Sequence, residues 1–432
     1  MASLIAPRLT GAPAIARLGA PARPASPAPA VLAPTVHVNW AVRWALYGMV
    51  FSIPFELPNR ELIPVEIPTL TAAIFLLATV LQPRVTYARL PAPLGWFLGC
   101  LYAYVMAAAI NRTDYGGEVF TLFLLLLEGI LVFWSLSNLL RDEALARRVL
   151  ITLGLACGTL ALLSLAGVGK TAHTVYTGGE RLTVFGQNAN TTAMVLSTGL
   201  IALGGLAYVL HPAWPRHRWL IWPLVAMIGL AVIDGGSRGG LVALGAGLVA
   251  FMLGGRTAWL RVRNVAVGMV ALGALLWASY NSPMMRSRLE SAATEGNLAG
   301  REEIFPELVQ MFREKPVLGW GPITNKYELG IRLHEIKHPR RDAHNMILEV
   351  LSATGVLGTI PFVIAVGLSV LAAWRARRRL HGILPAALVA VVLVANMSGN
   401  RIVNKVFWLV FAYSVAAATY PVDRSRQPVR FA

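Results

Sequence analysis

Charge is scarce in this chain: Asp, Glu, Lys and Arg make up 14% of its 432 residues, where a soluble protein carries about 25%. Cysteine is scarcer still. Cys100 and Cys157 both fall inside apolar runs, which argues against a disulfide framework or a Cys-based metal site and reads as small apolar packing residues. Alternation of polar and apolar residues is missing from the long segments, which excludes a transmembrane β-barrel. Neither a Gly-rich nucleotide loop nor a cluster of acidic metal ligands is visible, so no cofactor, no metal and no nucleic-acid partner is expected.

What is present is apolar length: 56% hydrophobic residues, mean hydropathy +0.60, and long runs recurring from residue 38 onward. This predicts an all-α polytopic integral membrane protein with about twelve transmembrane helices, embedded among membrane lipids. Its parts are an Ala/Pro-rich, disordered cytoplasmic tail at 1–37, a transmembrane domain at 38–420 and a cytoplasmic tail at 421–432. The second segment, 67–82, is short, and the tenth, 344–373, is long enough to tilt or to begin outside the bilayer.

Lys and Arg counts orient the chain. With the N-terminus inside, 21 of the 38 basic residues lie on the inner side with three acids, leaving 17 basic and 18 acidic residues outside. That is the positive-inside pattern, with both termini cytoplasmic, and it makes the one large loop, about 282–343, periplasmic. Within that loop the stretch at 300–322 reads as an amphipathic helix with Ile304, Leu308, Met311 and Phe312 on one face, suited to lying on the outer leaflet.

Basic residues kept on the outer side call for a reason. Arg181 precedes TVFGQNAN, Arg238 stands in DGGSRGG, Arg401 in SGNRIVNK, and the loop adds Arg301, Arg332, Lys337, Arg340 and Arg341. Guanidinium forks beside glycine and amide side chains suit phosphate oxygens, although each could also anchor at headgroups or pair with an outer acid. Three histidines follow: His334, His338 and His344. His334 and His338 have the spacing of a metal pair on a helix, with Glu335 or Asp342 nearby, but Pro339 argues against the helix continuing. Asp342 can cap the helix that begins here, placing the His344 imidazole in its first turn, where the positive helix end keeps it neutral and able to act as a base. Glu128, in the middle of TLFLLLLEGILVFW, is either paired with an arginine of a neighbouring span or functional.

Four stretches in order then resemble the O-antigen ligase family, whose wider superfamily includes O-antigen polymerases and protein O-oligosaccharyltransferases. They are RLTVFGQNAN at 181–190, GGSRGGL at 235–241, GREEIF…EKPVLGWGP at 300–322, and HNMILEVLSATGVLG from His344. The chain departs from the pattern at Ala189, where a proline is expected, and in holding His338 beside His344. The resemblance implies a glycosyltransferase at the periplasmic face of the bacterial inner membrane, moving O-antigen from undecaprenyl pyrophosphate to lipid A–core oligosaccharide with inversion and without metal. It implies His344 or His338 as base, Arg238, Arg181, Arg301, Arg341 and Arg401 as pyrophosphate ligands, and Asn345, Asn190 and Ser237 in support. A polymerase, a protein oligosaccharyltransferase and a transporter are the ranked alternatives; the near-absence of mid-membrane charge and of internal repeats disfavours the last.

Overall fold

The structure is a computed structural model that describes residues 38–56, 66–112, 114–174, 180–209, 218–255, 257–294, 300–335 and 339–422. The expected N-terminal tail, the last ten residues and His338 lie outside the described residues. The chain is built from helices: α1 Trp40–Ser52, α2 Ile67–Thr79, α3 Pro83–Thr86, α4 Ala92–Asn111, α5 Gly116–Leu139, α6 Glu143–Leu165, α7 Ala189–Val209 and α8 Ile221–Asp234. There follow α9 Arg238–Met252, α10 Ala258–Asn281, α11 Pro283–Thr294, α12 Arg301–Glu314, α13 Thr324–Arg332, α14 Met346–Ala376, α15 Leu384–Asn396 and α16 Lys405–Ala417. Each of the twelve apolar segments read from the sequence holds one of these helices. Six are long and apolar enough to cross a membrane (α4, α5, α6, α7, α10 and α14), and five more are apolar but shorter.

One element departs from the all-α expectation. β1 Lys170–Thr174 and β2 Glu180–Val184 form an antiparallel hairpin, Lys170 opposite Val184. The Thr/Val content of the two runs favours extended backbone, and the stretch separates two helices without apolar helical periodicity of its own. Arg181 lies in β2, and its side chain is outside the described residues.

Helix α14 packs along α4, α15 along α9, α7 on α6 and α8, and α16 on α5. The seam between α5 and α16 depends on size matching: Trp408 lies where a Cβ on Gly129 would stand, and its ring meets Phe97, Phe133 and Phe407 edge to face. The partner of Glu128 is on the same seam, and it is a lysine rather than an arginine: Lys405 Nζ donates to Glu128 Oε2 at 2.6 Å. Both side chains are buried, so the pair neutralises two charges that would be costly alone.

The tenth segment is one continuous run in sequence but two helices in space. Gly355 has φ 58° and ψ −155°, which breaks α14 after residue 354. The turn after α12 fills the break. Trp320 N donates to Ser352 O at 2.8 Å and Gly321 N to Ala353 O at 3.0 Å, while Val356 N and Leu357 N donate to Pro316 O and Val317 O at 2.9 and 3.2 Å. Four backbone groups that a broken helix would leave bare thus find partners in one turn. Gly319 (φ 65°) and Gly355 allow it, since a Cβ on either would sit 2.4–2.7 Å from facing backbone atoms.

The amphipathic α12 is not presented to a lipid surface. Its apolar residues Ile304, Leu308 and Met311 pack with Leu329, Ala343, Trp320 and Leu348, forming a small core separate from that of the bundle. Tyr327 of α13 stacks on Tyr115 at 3.9 Å and donates to Glu118, and Lys315 donates to Asn111, tying this unit to the ends of α4 and α5.

Gly355→Ala is expected to destabilise the protein by about 2–4 kcal/mol, because φ > 0 with this ψ is essentially glycine-only and the methyl group meets Val317 backbone. Gly367→Ala, in the same helix with nothing within 4 Å, serves as control and is expected to be neutral or slightly stabilising. Thermal unfolding of both in detergent checks this; equal melting temperatures would dismiss the turn-in-helix lock.

Candidate functional site

His344 stands at the mouth of α14, just before the helix rather than in its first turn. Asn345 is the cap, its Oδ1 accepting from Ile347 N and Leu348 N at 3.0 and 3.1 Å. Asp342, expected to cap, instead accepts from Lys326 Nζ at 2.5 Å. The reason is backbone shape: His344 is left-handed (φ 50°), which turns the chain between Asp342 and the helix. For a non-glycine residue this costs roughly 1–2 kcal/mol and persists only where neighbours impose it.

The neighbours are visible. Ala343 N donates to Glu349 Oε2 at 3.2 Å, and Asn325 Nδ2 donates to Glu349 Oε1 and to Ser352 Oγ. Lys326 Nζ lies 3.5 Å from Glu349 as well as 2.5 Å from Asp342, and Arg341 N donates to Lys326 O. Lys326 is buried, which pulls its pKa down, but Glu349 and Asp342 outweigh this and hold it above its ordinary value. Asp342 likewise is pulled up by burial yet held lower by Lys326 and then His344. Segment 339–345 is therefore clamped from α13 and from the first turns of α14.

Around the imidazole the charge is one-sided. Burial, and then Arg301, Arg341 and Arg401 against the opposing Asp342, bring the His344 pKa down to about 4, so the ring is neutral at pH 7. Arg238 is the first residue of α9 and Arg301 the first of α12. Arg238 Nη1 donates to Arg288 O at 3.2 Å and Arg301 Nη2 to Ser398 O at 3.0 Å. Burial, then the nearness of Arg238, lowers the pKa of both Arg288 and Arg301. Arg401 is nine-tenths buried and brought down to about 10, burial again being the main cause. Its Nε donates to Thr191 Oγ1 and its Nη1 to Ala395 O. The Nε atoms of Arg288 and Arg341 are buried without a hydrogen-bond acceptor. Arg238 and Arg301 thus bear on Arg288, and Arg301, Arg341 and Arg401 on His344, so that positive charge is concentrated on this side of the imidazole.

Supporting residues sit where α7 and α9 begin. Ser237 caps α9, accepting from Gly240 N at 3.1 Å while its hydroxyl donates to Asn190 Oδ1 at 2.7 Å, so Asn190 and Ser237 together fix the helix end that carries Arg238. Not every arginine of the loop joins the site. Arg332 is taken by Glu314 and Glu328 and covers Trp320, and Arg340 is paired with Glu118. Arg341 contacts Glu335 at 3.3 Å yet remains close enough to affect His344. His334 follows the end of α13 with φ 54°, so the His334–His338 spacing does not fall on one helix. Among the described residues no group of three His, Cys, Asp or Glu side chains could hold a metal ion.

Sequence reasoning missed Arg288, which lies in α11 with no motif around it, and missed Lys326 and Glu349 as the clamp. It also missed a charged cavity of about 350 Å³ that adjoins the site through Asp342 and Arg401 and holds Glu56, whose carboxyl is pushed up to about 7 by burial and then by Glu66. The only advance signal for these was an excess of ionisable residues on the outer side.

With burial first and the arginines after it, the folded pKa of His344, about 4, lies below the usual 6.5. The unfolded state then binds more protons between those values, so the stabilising effect of neutral His344 is complete above pH 6.5 and is lost as pH falls toward 4. Melting temperatures of wild type and His344→Gln across pH 4–7 should converge in that direction as acid is added; parallel curves would mean that His344 titrates normally.

Residues 223–363 match a family model described as O-antigen ligase, a stretch that runs from α8 through α14 and contains Arg238, Arg288, Arg301, Arg341, His344 and Gly355. No curated protein gives a significant match to the chain.

Proposed function

From the match of residues 223–363 to a family model described as O-antigen ligase, together with six helices long and apolar enough to cross a membrane, we propose that the chain is a membrane glycosyltransferase that transfers O-antigen from undecaprenyl pyrophosphate to lipid A–core oligosaccharide. The reaction takes place at the periplasmic face of the inner membrane, across which the helical segments pass twelve times. The observation that carries this reading is one arrangement: a buried imidazole depressed to about 4 beside Arg301, Arg341 and Arg401, with Arg238 and Arg288 next to Arg301.

The chemistry follows from charge. The diphosphate of the donor enters the arginine cluster, where helix N-termini at Arg238 and Arg301 add their positive ends. Relief of mutual repulsion among the guanidinium groups favours a dianion there over water. Neutral His344 accepts the proton of an acceptor sugar hydroxyl as its oxygen attacks the anomeric carbon. The bond from that carbon to the pyrophosphate oxygen breaks on the opposite face, which inverts the centre, and the electron pair leaves with the diphosphate. The arginines are strongest toward this product, because its charge is larger than that of the diphosphate ester, so they stabilise the transition state more than the substrate. Asp342 stays ionised beside the imidazolium that forms and steadies it. Arg181, next to the β-hairpin turn, and His338 are kept as a further phosphate ligand and a rival base, since their side chains lie outside the described residues.

The test is reconstitution in liposomes with undecaprenyl-pyrophosphate glycan and lipid A–core, with and without chelator. Wild type should move glycan to lipid A–core in both. His344→Ala should lower kcat by about 10²–10⁴-fold, and Arg238→Ala and Arg301→Ala by about 10–10³-fold each. The kcat/KM profile of wild type should lose activity only as pH falls toward 4, with the acid limb of kcat at higher pH because bound diphosphate raises the imidazole pKa. Glycan that merely lengthens on its carrier would make this a polymerase, and activity that survives His344→Ala but not His338→Ala would move the base.

A further inference from the structure

At the end of the bundle away from His344 the chain holds a second basic site that the proposed reaction does not use. Helices α7, α9 and α14 all run from the His344 end to this one, and α10 and α15 begin there. A cavity of about 690 Å³ lies among these ends, walled by Arg261, Arg263, Arg377 and Arg378 with Tyr208 and Trp374 between them. No acidic residue lines it, and Arg261, Arg263 and Arg377 have no carboxylate within salt-bridge distance among the described residues.

The guanidinium groups are held in place by neutral partners. Arg263 Nε donates to the Tyr208 hydroxyl at 2.9 Å while its carbon sits 4.8 Å above the Tyr208 ring, and that hydroxyl donates to Asn264 Oδ1 at 2.6 Å. Arg261 Nε donates to Gly255 O at 3.1 Å, and Arg377 Nη1 donates to Trp374 O while lying 4.2 Å over the Trp374 ring. Each group is therefore oriented while keeping other N–H donors for a ligand. Arg375 and Arg379 stand with Arg377 and Arg378 around the adjoining recess.

A second cavity of different character shares part of this wall. Tyr208, Phe251 and Asn264 also line an apolar slot of about 140 Å³ between α7, α8 and α10. Its other walls are hydrocarbon or aromatic, including Leu200, Val225, Leu248 and Ala271, and glycines on α7 and α10 leave it open. Trp222 of α8 and Val267 of α10 flank it, both about half exposed, and α10 turns most of its surface away from the protein. Four arginines beside an apolar slot with which their cavity shares Tyr208, Phe251 and Asn264 have the two-part chemistry of one molecule class.

We propose that this is a binding site for an anionic phospholipid of the inner leaflet, its phosphate among Arg261, Arg263, Arg377 and Arg378 and one acyl chain in the slot between α8 and α10. Basic pockets between membrane helices recognise such headgroups through charge-assisted hydrogen bonds that a zwitterionic lipid partly cancels with its own cation. The occupant also explains α10 mechanically. This helix packs mainly on α9 and leaves a gap toward α7, so a chain in the slot would join it to the bundle and steady the α11 segment that carries Arg288.

The experiment is native mass spectrometry of the full chain released from detergent after delipidation, with phosphatidylglycerol, cardiolipin, phosphatidylcholine, undecaprenyl phosphate or inorganic phosphate added. We expect phosphatidylglycerol and cardiolipin to be retained and phosphatidylcholine and inorganic phosphate not. The Arg261→Gln/Arg263→Gln/Arg377→Gln/Arg378→Gln variant should weaken retention by roughly a hundredfold. Ala271→Phe, which fills the slot and leaves every arginine in place, should weaken it independently and more for lipids with long chains than short ones. The corresponding four-lysine variant keeps the charge and should keep part of the binding, which separates loss of a site from loss of fold. Equal retention of phosphatidylcholine, retention by the four-glutamine variant, or insensitivity to Ala271→Phe would overturn the proposal. Preference for undecaprenyl phosphate over both phospholipids would overturn it in favour of a carrier-lipid site, and saturation by inorganic phosphate would leave an anion site without a lipid.

Discussion

Everything around His344 depends on an exchange of backbone hydrogen bonds at Gly355. A helix interrupted near the membrane exposes N–H and C=O groups whose burial without partners costs about 1–3 kcal/mol each. The turn at Pro316–Gly321 supplies those partners, two donors above the break and two acceptors below it. The same contact fixes a loop of some sixty residues, 282–343, to a membrane segment without requiring a continuous helix. Because α12 and α13 bury their apolar faces against each other and against Ala343 and Leu348, the loop has a core of its own once this anchor is made. The motif residues Gly319, Gly321, Gly355 and Pro316 thus serve a structural purpose, and the chemistry they permit lies a few residues away.

That anchor places two sets of groups that would not otherwise meet. Arg301 arrives with the start of α12, Arg341 and His344 with the clamp from Lys326 and Glu349, and Arg238 with the capped start of α9. Each guanidinium raises the free energy of the others and of a protonated His344, so the site is strained electrostatically as well as at φ of His344. Such strain persists because the rest of the bundle is well packed: Trp408 against Gly129, the Lys405–Glu128 pair, and His381 held between Tyr413 and Glu143 at the opposite end.

Much of this was legible in the residues. Apolar run length located the six helices long and apolar enough to cross a membrane, because hydropathy is a property of each segment by itself. The arginines beside Gly and Asn, and His344 before an apolar run, stood out because such residues conflict with their surroundings, and the structure brings Arg301, Arg341 and Arg401 near His344. The failures share a cause, which is that they concern partners distant in sequence. Asp342 beside a helix start looks like a cap, and only the left-handed turn at His344 and the lysine sixteen residues back divert it. Glu128 was recognisable as costly, yet its partner is 277 residues away. Run length alone cannot reveal the break in α14, since Gly355 in a helix is tolerated often and only the facing turn makes it a hinge.

The distribution of arginines therefore has two explanations, not one. Positive charge on the inner side follows the rule of membrane insertion, which needs no particular geometry and is satisfied by any Lys or Arg near a span end. Yet at the α10–α14 end the arginines are held by Tyr208, Trp374 and Gly255 into one cavity, which insertion does not demand. At the other end, arginines are gathered around one neutral histidine and are costly to keep. The same residue type at the two ends of the bundle is thus read by what orients it. Unconstrained arginines would report topology alone, whereas arginines held by Tyr208, Trp374 and Gly255 around one cavity, or gathered near a neutral base, answer to local geometry as well.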